Sequence, residues 1–119
     1  TYNPLYFLEA LSQVDNNIHP NIFIFGHTYE TRDWVPRLSA RLDIPFITDC
    51  TGFDCSGGLS LNRPIYQAKL TQTLSLSCDK SIISFQAGSY SVDSLESGAS
   101  TVNNLSVDFS SVQDSSQVL

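Results

Sequence analysis

Residues 21–42 decide the fold, and they read NIFIFGHTYETRDWVPRLSARL. Four consecutive Ile and Phe residues, 22–25, are typical of a short strand covered on both faces, as in a parallel sheet flanked by helices. Gly26 ends the strand, and an apolar residue then recurs every four positions at Trp34, Leu38 and Leu42. The stretch therefore predicts a strand, a turn and an amphipathic helix, which is half of a β-α-β unit.

The turn between this strand and helix, residues 26–33, is the first place to look for function. At the carboxyl end of a parallel strand, free backbone N–H groups and the helix dipole converge, and open α/β sheets bind ligands there. The turn holds a single glycine, Gly26, and it carries neither a dinucleotide fingerprint nor a Walker loop. The sequence therefore predicts a ligand-binding position without a strong phosphate signature.

The polar side chains of the turn admit two interpretations. Thr28 or Thr31 as the helix N-cap, and Asp33 in the first helical turn, are explained by helix stability alone. Arg32 is unfavourable near a helix N-terminus, so it indicates either an anionic partner or an ion pair with Glu30 or Asp33. An adenine nucleotide bound at this turn is therefore one open hypothesis.

A second site hypothesis rests on His27, whose side chain titrates near neutral pH and lies beside the expected crevice. Its plausible neighbour is Asp49, at the end of the next parallel strand. A hydrolase built on His27 and Asp49 lacks an identified nucleophile, because no catalytic signature occurs and the many serines single out none.

Length, composition and net charge argue against several classes of protein. The length of 119 residues fits one domain, and the absence of Met predicts an excised piece of a longer chain. A net charge of −6 with a pI of about 4.5 argues against a nucleic-acid partner or an anionic membrane surface. No apolar run approaches the roughly 20 residues that cross a bilayer, so we expect no direct membrane insertion.

The three cysteines, Cys50, Cys55 and Cys78, are odd in number and irregular in spacing. This pattern indicates reduced thiols rather than a disulfide framework. Cys50 and Cys55 are spaced too widely for the usual zinc pair, so no metal site is predicted.

The rest of the chain divides into an α/β part and a polar tail. We expect a helix from Asn3 to Asn17, with an apolar stripe of Phe7, Leu11, Val14 and Ile18 that Leu8 thickens. The predicted strands are 44–48, 59–66 with a bend or sheet edge at Pro64, 70–78 with antiparallel alternation, and 81–85. Residues 89–119 are Ser-rich and predict a linker, in which Leu105, Val107 and Phe109 alternate as an edge strand.

Residues 21–90 resemble the N-terminal domain of the α subunit of electron transfer flavoproteins. The helix carries that family's Arg-Asp pair followed by Pro-Arg-Leu, and a later segment matches its Arg-Pro-x-aromatic pattern. The matching segments occur in the family's order, namely Gly26 to Thr28, Arg32-Asp33, Pro36 to Leu42, Ile47 to Thr51, Arg63 to Tyr66, and Leu70 to Gly88. The chain departs from the family at 67–69, which usually holds small residues and often two glycines, and at 86–88, where only the glycine of Arg-Pro-Gly remains.

The resemblance implies a Rossmann-like, three-layer α/β domain whose sheet is partly parallel with an antiparallel extension. It implies that residues 1–88 form this subunit-interface domain without the family's first elements. Residues 89–119 would then lead to an absent FAD-binding domain. Arg63, Pro64 and Tyr66 are the expected interface residues. Gly26, Thr28, Arg32 and Asp33 would form a vestigial nucleotide turn.

By resemblance, the chain is a scaffold and heterodimer-interface part of an electron carrier, without its own catalytic site. FAD would be held by the full-length parent, AMP by the partner β subunit, and electrons would pass from acyl-CoA or other dehydrogenases to the respiratory chain in fatty acid β-oxidation. The parent would be cytoplasmic in bacteria or lie in the mitochondrial matrix in eukaryotes. The alternative is a free-standing adenine-nucleotide-binding module of the same α/β superfamily.

Overall fold

A computed structural model describes residues 2–112 and shows three layers built from two helices and two sheets. The helices lie on one face of a parallel sheet, and an antiparallel sheet packs against part of the other face. In chain order the elements are α1 (Pro4–Ile18), β1 (Ile22–Gly26), α2 (Tyr29–Leu42), β2 (Phe46–Cys50), β3 (Gly52–Asp54), β4 (Ser60–Ile65), β5 (Leu70–Ser75) and β6 (Ser81–Phe85). The predicted α/β class, partly parallel with an antiparallel extension, is confirmed.

The parallel sheet has the strand order β1-β6-β2. The β6 strand, which comes last in the chain, lies between the other two and runs parallel to both. Ile22 pairs with Ser81 and Gly26 with Phe85, so β1 and β6 are in register over their whole length. The carboxyl ends of all three strands therefore meet at one edge, the edge at which α2 begins.

Both helices bury their apolar sides against the parallel sheet. Asn3 caps α1 by accepting the N–H of Leu5 at 3.0 Å, and Pro4 occupies the first helical position. The core between the helices and the sheet consists of Leu8, Phe23, Trp34, Val35, Leu38 and Ile82. The stripe predicted on α2 is confirmed by this core, whereas two members of the α1 stripe, Phe7 and Ile18, are 40% and 61% exposed. Leu8, which is 3% exposed, is the main anchor of α1 instead.

The antiparallel sheet, of order β3-β4-β5, covers the face of the parallel sheet opposite the helices. The chain passes between the sheets at Thr51, whose N–H donates to the Asn62 carbonyl at 2.8 Å. Leu61 is fully buried against Ile83 and Cys50. The expectation of an edge at Pro64 is wrong for β4 as a whole, which is the central strand, but it holds at Pro64 itself. Pro64 is tolerated because β3 pairs with β4 only as far as Asn62, so the missing N–H faces no partner strand.

The expectation that residues 22–25 are covered on both faces is also wrong. Phe23 is 6% exposed under the helices, but Ile22 and Ile24 on the opposite face are 41% and 65% exposed. The antiparallel sheet packs on β2 and β6 and does not reach across to β1. This part of the sheet therefore presents an apolar surface.

Residues 89–112 contain one short 3₁₀ turn, Val92–Ser94, and otherwise follow irregular paths. The edge strand expected from Leu105, Val107 and Phe109 does not form, because this segment lies on α1 instead of on a sheet. The Gln13 side chain bonds to the backbone N–H and C=O of Asp108 at 2.9 and 2.6 Å. The Phe109 ring packs edge-on against Tyr6 at 5.0 Å. The remainder of the expected linker, 113–119, lies outside the described residues.

Candidate functional site

The candidate site is the crevice at the carboxyl ends of β1 and β6. Its lining comes from the end of β1, the turn that follows it, and the segment after β6. The hollow has a volume of about 370 Å³ and is lined by Ile24, Phe25, Gly26, His27, Thr28, Phe85, Gln86, Ala87, Gly88, Ser89 and Tyr90. The structure thus places the turn predicted from sequence at the mouth of a real crevice.

A compact cap begins α2 beside this crevice. Thr28 adopts an extended conformation, and its hydroxyl accepts the N–H of Thr31 at 3.2 Å. The buried Thr31 hydroxyl in turn donates to the Gly26 carbonyl at 2.7 Å. Thr28 is therefore the N-cap, and Thr31 fixes the helix to the end of β1.

The cap also uses backbone N–H groups that a phosphate would need. Each of four donors is bonded within the chain: His27 to the Phe85 carbonyl, Thr28 to the Gly26 carbonyl, Thr31 to the Thr28 hydroxyl, and Arg32 to the Thr28 carbonyl. Gly26 has an ordinary negative φ, and an added Cβ would meet only the Thr28 methyl at 4.0 Å. The turn is thus a helix cap, and it lacks the left-handed glycine of an anion-binding nest.

His27 joins the ends of the three parallel strands. Its Nδ1 lies 2.9 Å from the hydroxyl of Ser84 on β6, and the same hydroxyl accepts the N–H of Asp49 on β2 at 3.1 Å. The Nε2 of His27 accepts from Arg32 Nε at 3.0 Å and lies 3.8 Å from Asp49 Oδ1. The imidazole is 9% exposed, so this cluster is a largely buried polar connection between β1, β6, β2 and α2.

The contacts of His27 specify its neutral tautomer. Arg32 Nε carries a hydrogen and can only donate, so Nε2 of the imidazole must be the acceptor. The ring proton therefore lies on Nδ1 and is donated to Ser84. This assignment leaves no two donors facing each other in the cluster.

The cluster brings together the two residues of the hydrolase hypothesis, His27 and Asp49, but no reachable nucleophile. Ser84 is completely buried, so a substrate cannot approach its hydroxyl. Asp49 is held with a left-handed φ of 62° at an irregularity in the pairing of β2 with β6. Its geometry thus serves the connection to Ser84.

The neighbouring side chains of Arg32 and Asp33 contact different parts of the structure. The Arg32 guanidinium lies 5.6 Å from the ring centre of Tyr29 in addition to its bond with His27. Asp33 accepts the Tyr2 hydroxyl at 2.8 Å and pairs with Arg37 at 3.4 Å, away from the crevice. Desolvation, together with this bond to Asp33, raises the pKa of Tyr2 to about 12. Of the two alternatives for Arg32, the ion pair with Glu30 or Asp33 does not form among the described residues.

Three aromatic rings support the far side of the crevice. Phe53, Phe85 and Tyr90 lie with ring centres 5.7 to 6.2 Å apart. The Tyr90 hydroxyl accepts the N–H of Phe53 at 3.1 Å, which connects the segment after β6 to β3. The crevice wall is therefore braced against the antiparallel sheet.

The predicted interface residues lie along β4 and the hairpin that follows it. Arg63 is bound within the chain: Nε and one terminal nitrogen donate to the carbonyl and hydroxyl of Thr48 at 2.9 and 3.2 Å, and the other reaches Gln72 at 3.4 Å. Tyr66 is 72% exposed at the hairpin. Tyr66, Gln67 and Ala68 all have positive φ, of 50°, 56° and 64°. A side chain strains such a backbone, whereas glycine adopts it without that cost.

All three cysteines are free, and Cys50 is buried while Cys55 and Cys78 are exposed. Desolvation by burial raises the pKa of the Cys50 thiol. In residues 2–112, no three His, Cys, Asp or Glu side chains cluster as a metal site would require. Over the same residues no helix is long and apolar enough to cross a membrane.

Sequence reasoning missed three side chains that organise the site and its surroundings. Ser84 interrupts the apolar residues of β6, between Ile83 and Phe85, and that interruption was the available signal. Tyr90 and Gln13 make their contacts 37 and 95 residues away in sequence, and no local pattern reports such contacts.

Comparison with known proteins gives a consistent result. A family model described as electron transfer flavoprotein domain matches residues 1–110. The electron transfer flavoprotein subunit alpha of Bacillus subtilis is 34% identical over 70 residues, which is 58% of this chain and 22% of that protein. The corresponding subunit of Thermoanaerobacterium thermosaccharolyticum is 31% identical over 70 residues, 57% of this chain and 21% of that protein. Protein FixB of Clostridium saccharobutylicum is 31% identical over 71 residues, with shares of 57% and 21%. The aligned part of the chain thus corresponds to about a fifth of these relatives.

Proposed function

The chain belongs to the electron transfer flavoprotein family, and from this premise we propose that it serves an α subunit as scaffold and as interface to a β subunit. The observation that carries the proposal is the match of residues 1–110 to the family, with α subunits among the similar proteins. Within the crevice, His27, Arg32, Ser84 and Asp49 bond to one another. This self-contained network suits a supporting domain.

We place the subunit contact at the β4–β5 hairpin. Pro64 precedes the turn, and Tyr66 offers an exposed ring at its end. Strained backbone is retained where the surrounding structure or a function requires it. Arg63 would act from behind this surface, because its bonds to Thr48 and Gln72 fix the direction of the hairpin.

The remaining functions belong to the proposed parent α subunit rather than to these residues. FAD would be bound by a domain that residues 89–112 lead towards, and AMP by the partner β subunit. Electrons would pass from acyl-CoA or other dehydrogenases to the respiratory chain, in the bacterial cytoplasm or in the mitochondrial matrix. The chain itself would have no catalytic step.

The alternative function is a free-standing adenine-nucleotide-binding module. It is favoured by a hollow between His27, Thr28, Tyr29 and Arg32, in which the Tyr29 ring is 88% exposed and available for stacking. Two features oppose it. The cap consumes backbone N–H donors, and Glu30 adds a negative charge to the first turn of α2.

Native mass spectrometry with FAD and AMP, added separately, tests the proposal. We expect neither ligand to remain on the isolated chain, while the full-length parent retains FAD and is yellow. Retention of AMP would favour the alternative, provided that Arg32→Gln releases it and Arg37→Gln does not. Arg37 is the matched control because it lies on the same helix but pairs with Asp33, away from the crevice.

A further inference from the structure

The buried imidazole of His27 faces groups of opposite charge through one nitrogen. Arg32 Nε donates to Nε2 at 3.0 Å, and the Asp49 carboxylate lies 3.8 Å from the same atom. We propose that His27 is a pH-operated switch that exchanges the Arg32 contact for an Asp49 contact when its ring takes up a proton. This role is independent of the proposed subunit function.

In the neutral state both ring nitrogens of His27 have a hydrogen-bond partner. The proton on Nδ1 is donated to the buried Ser84 hydroxyl, and the lone pair of Nε2 accepts from Arg32. Arg32 is thereby held over the turn, with its guanidinium 5.6 Å from the Tyr29 ring centre. The neutral ring thus fixes a positive charge at the mouth of the crevice.

Protonation changes one nitrogen only. A proton from solvent binds Nε2, so both ring nitrogens become donors and Nε2 can no longer accept from Arg32. The imidazolium repels the guanidinium and attracts the Asp49 carboxylate, which must approach by about 1 Å to reach ordinary hydrogen-bond distance. The bond from Nδ1 to Ser84 persists, so the ring pivots about a fixed contact.

The groups around His27 make this exchange specific. The α2 helix contributes Arg32, the end of β2 contributes Asp49, and β6 contributes the uncharged Ser84. Glu30 lies in the first turn of α2, and its charge helps to raise the pKa of Tyr2. The other acidic residue of that turn region, Asp33, is engaged with Tyr2 and Arg37.

The consequence concerns whatever docks at the crevice. While His27 is neutral, Arg32 is fixed beside Thr28 and Tyr29, whereas protonation of His27 releases it. A partner or ligand with a negative group near this turn therefore encounters a pH-dependent cation, although the fold around it is unchanged.

Nuclear magnetic resonance of the intact chain tests the switch through the ring nitrogens and the Arg32 side chain. We expect the neutral ring of His27 to carry its proton on Nδ1, and the Arg32 Nε–H signal to change in step with protonation of His27. His19, the other histidine, is an exposed internal control whose titration should leave the Arg32 signal unchanged. The proposal would be overturned if the neutral ring of His27 carried its proton on Nε2, or if the Arg32 Nε–H signal did not change when His27 is protonated.

Variants add a quantitative check. Arg32→Gln removes the charged donor, so the ratio of the Nδ1-protonated to the Nε2-protonated ring should fall by about tenfold, the factor that a charge-assisted hydrogen bond supplies. Arg37→Gln is the control and should leave the ratio unchanged. An unchanged ratio in Arg32→Gln would contradict the assignment. The pH titration of the unmodified chain decides the matter if the variant does not fold.

Discussion

The β4–β5 hairpin offers a stability prediction that depends on backbone geometry alone. Gln67 and Ala68 have φ of 56° and 64°. Both residues are exposed, so replacing them with glycine removes no buried side chain. A left-handed residue with a Cβ costs about 1–2 kcal/mol, and glycine avoids that cost. Glycine loses about 0.5–1 kcal/mol through its greater freedom in the unfolded chain. Each substitution by glycine should therefore stabilise the fold by about 0.5–1 kcal/mol.

Thermal and urea unfolding of Gln67→Gly, Ala68→Gly and the double variant would measure this gain. For a domain of this size, 1 kcal/mol corresponds to about 4 °C in Tm. The double variant should thus melt about 4–8 °C higher than the unmodified chain. Some loss of additivity is expected because the two residues are neighbours.

Ala40→Gly is the matched control, because Ala40 is an exposed residue within α2. The same chemical change should there lower stability by about 1 kcal/mol. The two alanine substitutions therefore have opposite expected signs. A hairpin variant that melts at or below the temperature of the unmodified chain would refute the strain argument.

Three further predictions follow from the contacts of the fold. The exposed thiols of Cys55 and Cys78 should react with Ellman's reagent in the folded state, whereas Cys50 should react only on unfolding. Because burial raises the pKa of the Cys50 thiol in the folded state, the free energy of unfolding should fall as the pH rises above about 9. A free energy of unfolding that does not change with pH in that range would contradict this prediction. Arg63→Met should lower the free energy of unfolding by about 2 kcal/mol, because the hydrogen bonds to Thr48 are lost. If urea unfolding gave a decrease below about 0.5 kcal/mol, these hydrogen bonds would not stabilise the fold as argued. Gln13→Ala should speed hydrogen exchange at the Asp108 amide by about fivefold or more, whereas unchanged exchange would mean that this contact does not hold the segment.

The sequence predicted the elements that depend on local periodicity. The apolar run of β1, a threonine cap at either Thr28 or Thr31, and the stripe of Trp34 and Leu38 all reflect contacts within a few residues. They were therefore recognisable without a structure, which then selected Thr28 as the cap. Two of the side chains that meet at the turn, His27 and Asp49, were identified because parallel strands end at a common edge. Their distance of 3.8 Å is consistent with that argument.

The errors came from long-range packing. Residues 22–25 look equally apolar on both faces, but within residues 2–112 only the helical side of β1 is covered, and composition does not reveal that difference. Pro64 indicated an edge, whereas the short β3 left a free position on a central strand. The alternation of Leu105, Val107 and Phe109 was outweighed by the bond between Gln13 and the Asp108 backbone.

The most direct test of the central claim is analytical ultracentrifugation of this chain with an electron transfer flavoprotein β subunit. We predict a one-to-one complex that forms without FAD on this chain. Hydrogen exchange should then slow at the hairpin around Tyr66, while residues 95–102 serve as an exposed internal control. Two independent species, with the chain retaining AMP by itself, would contradict the scaffold and interface assignment.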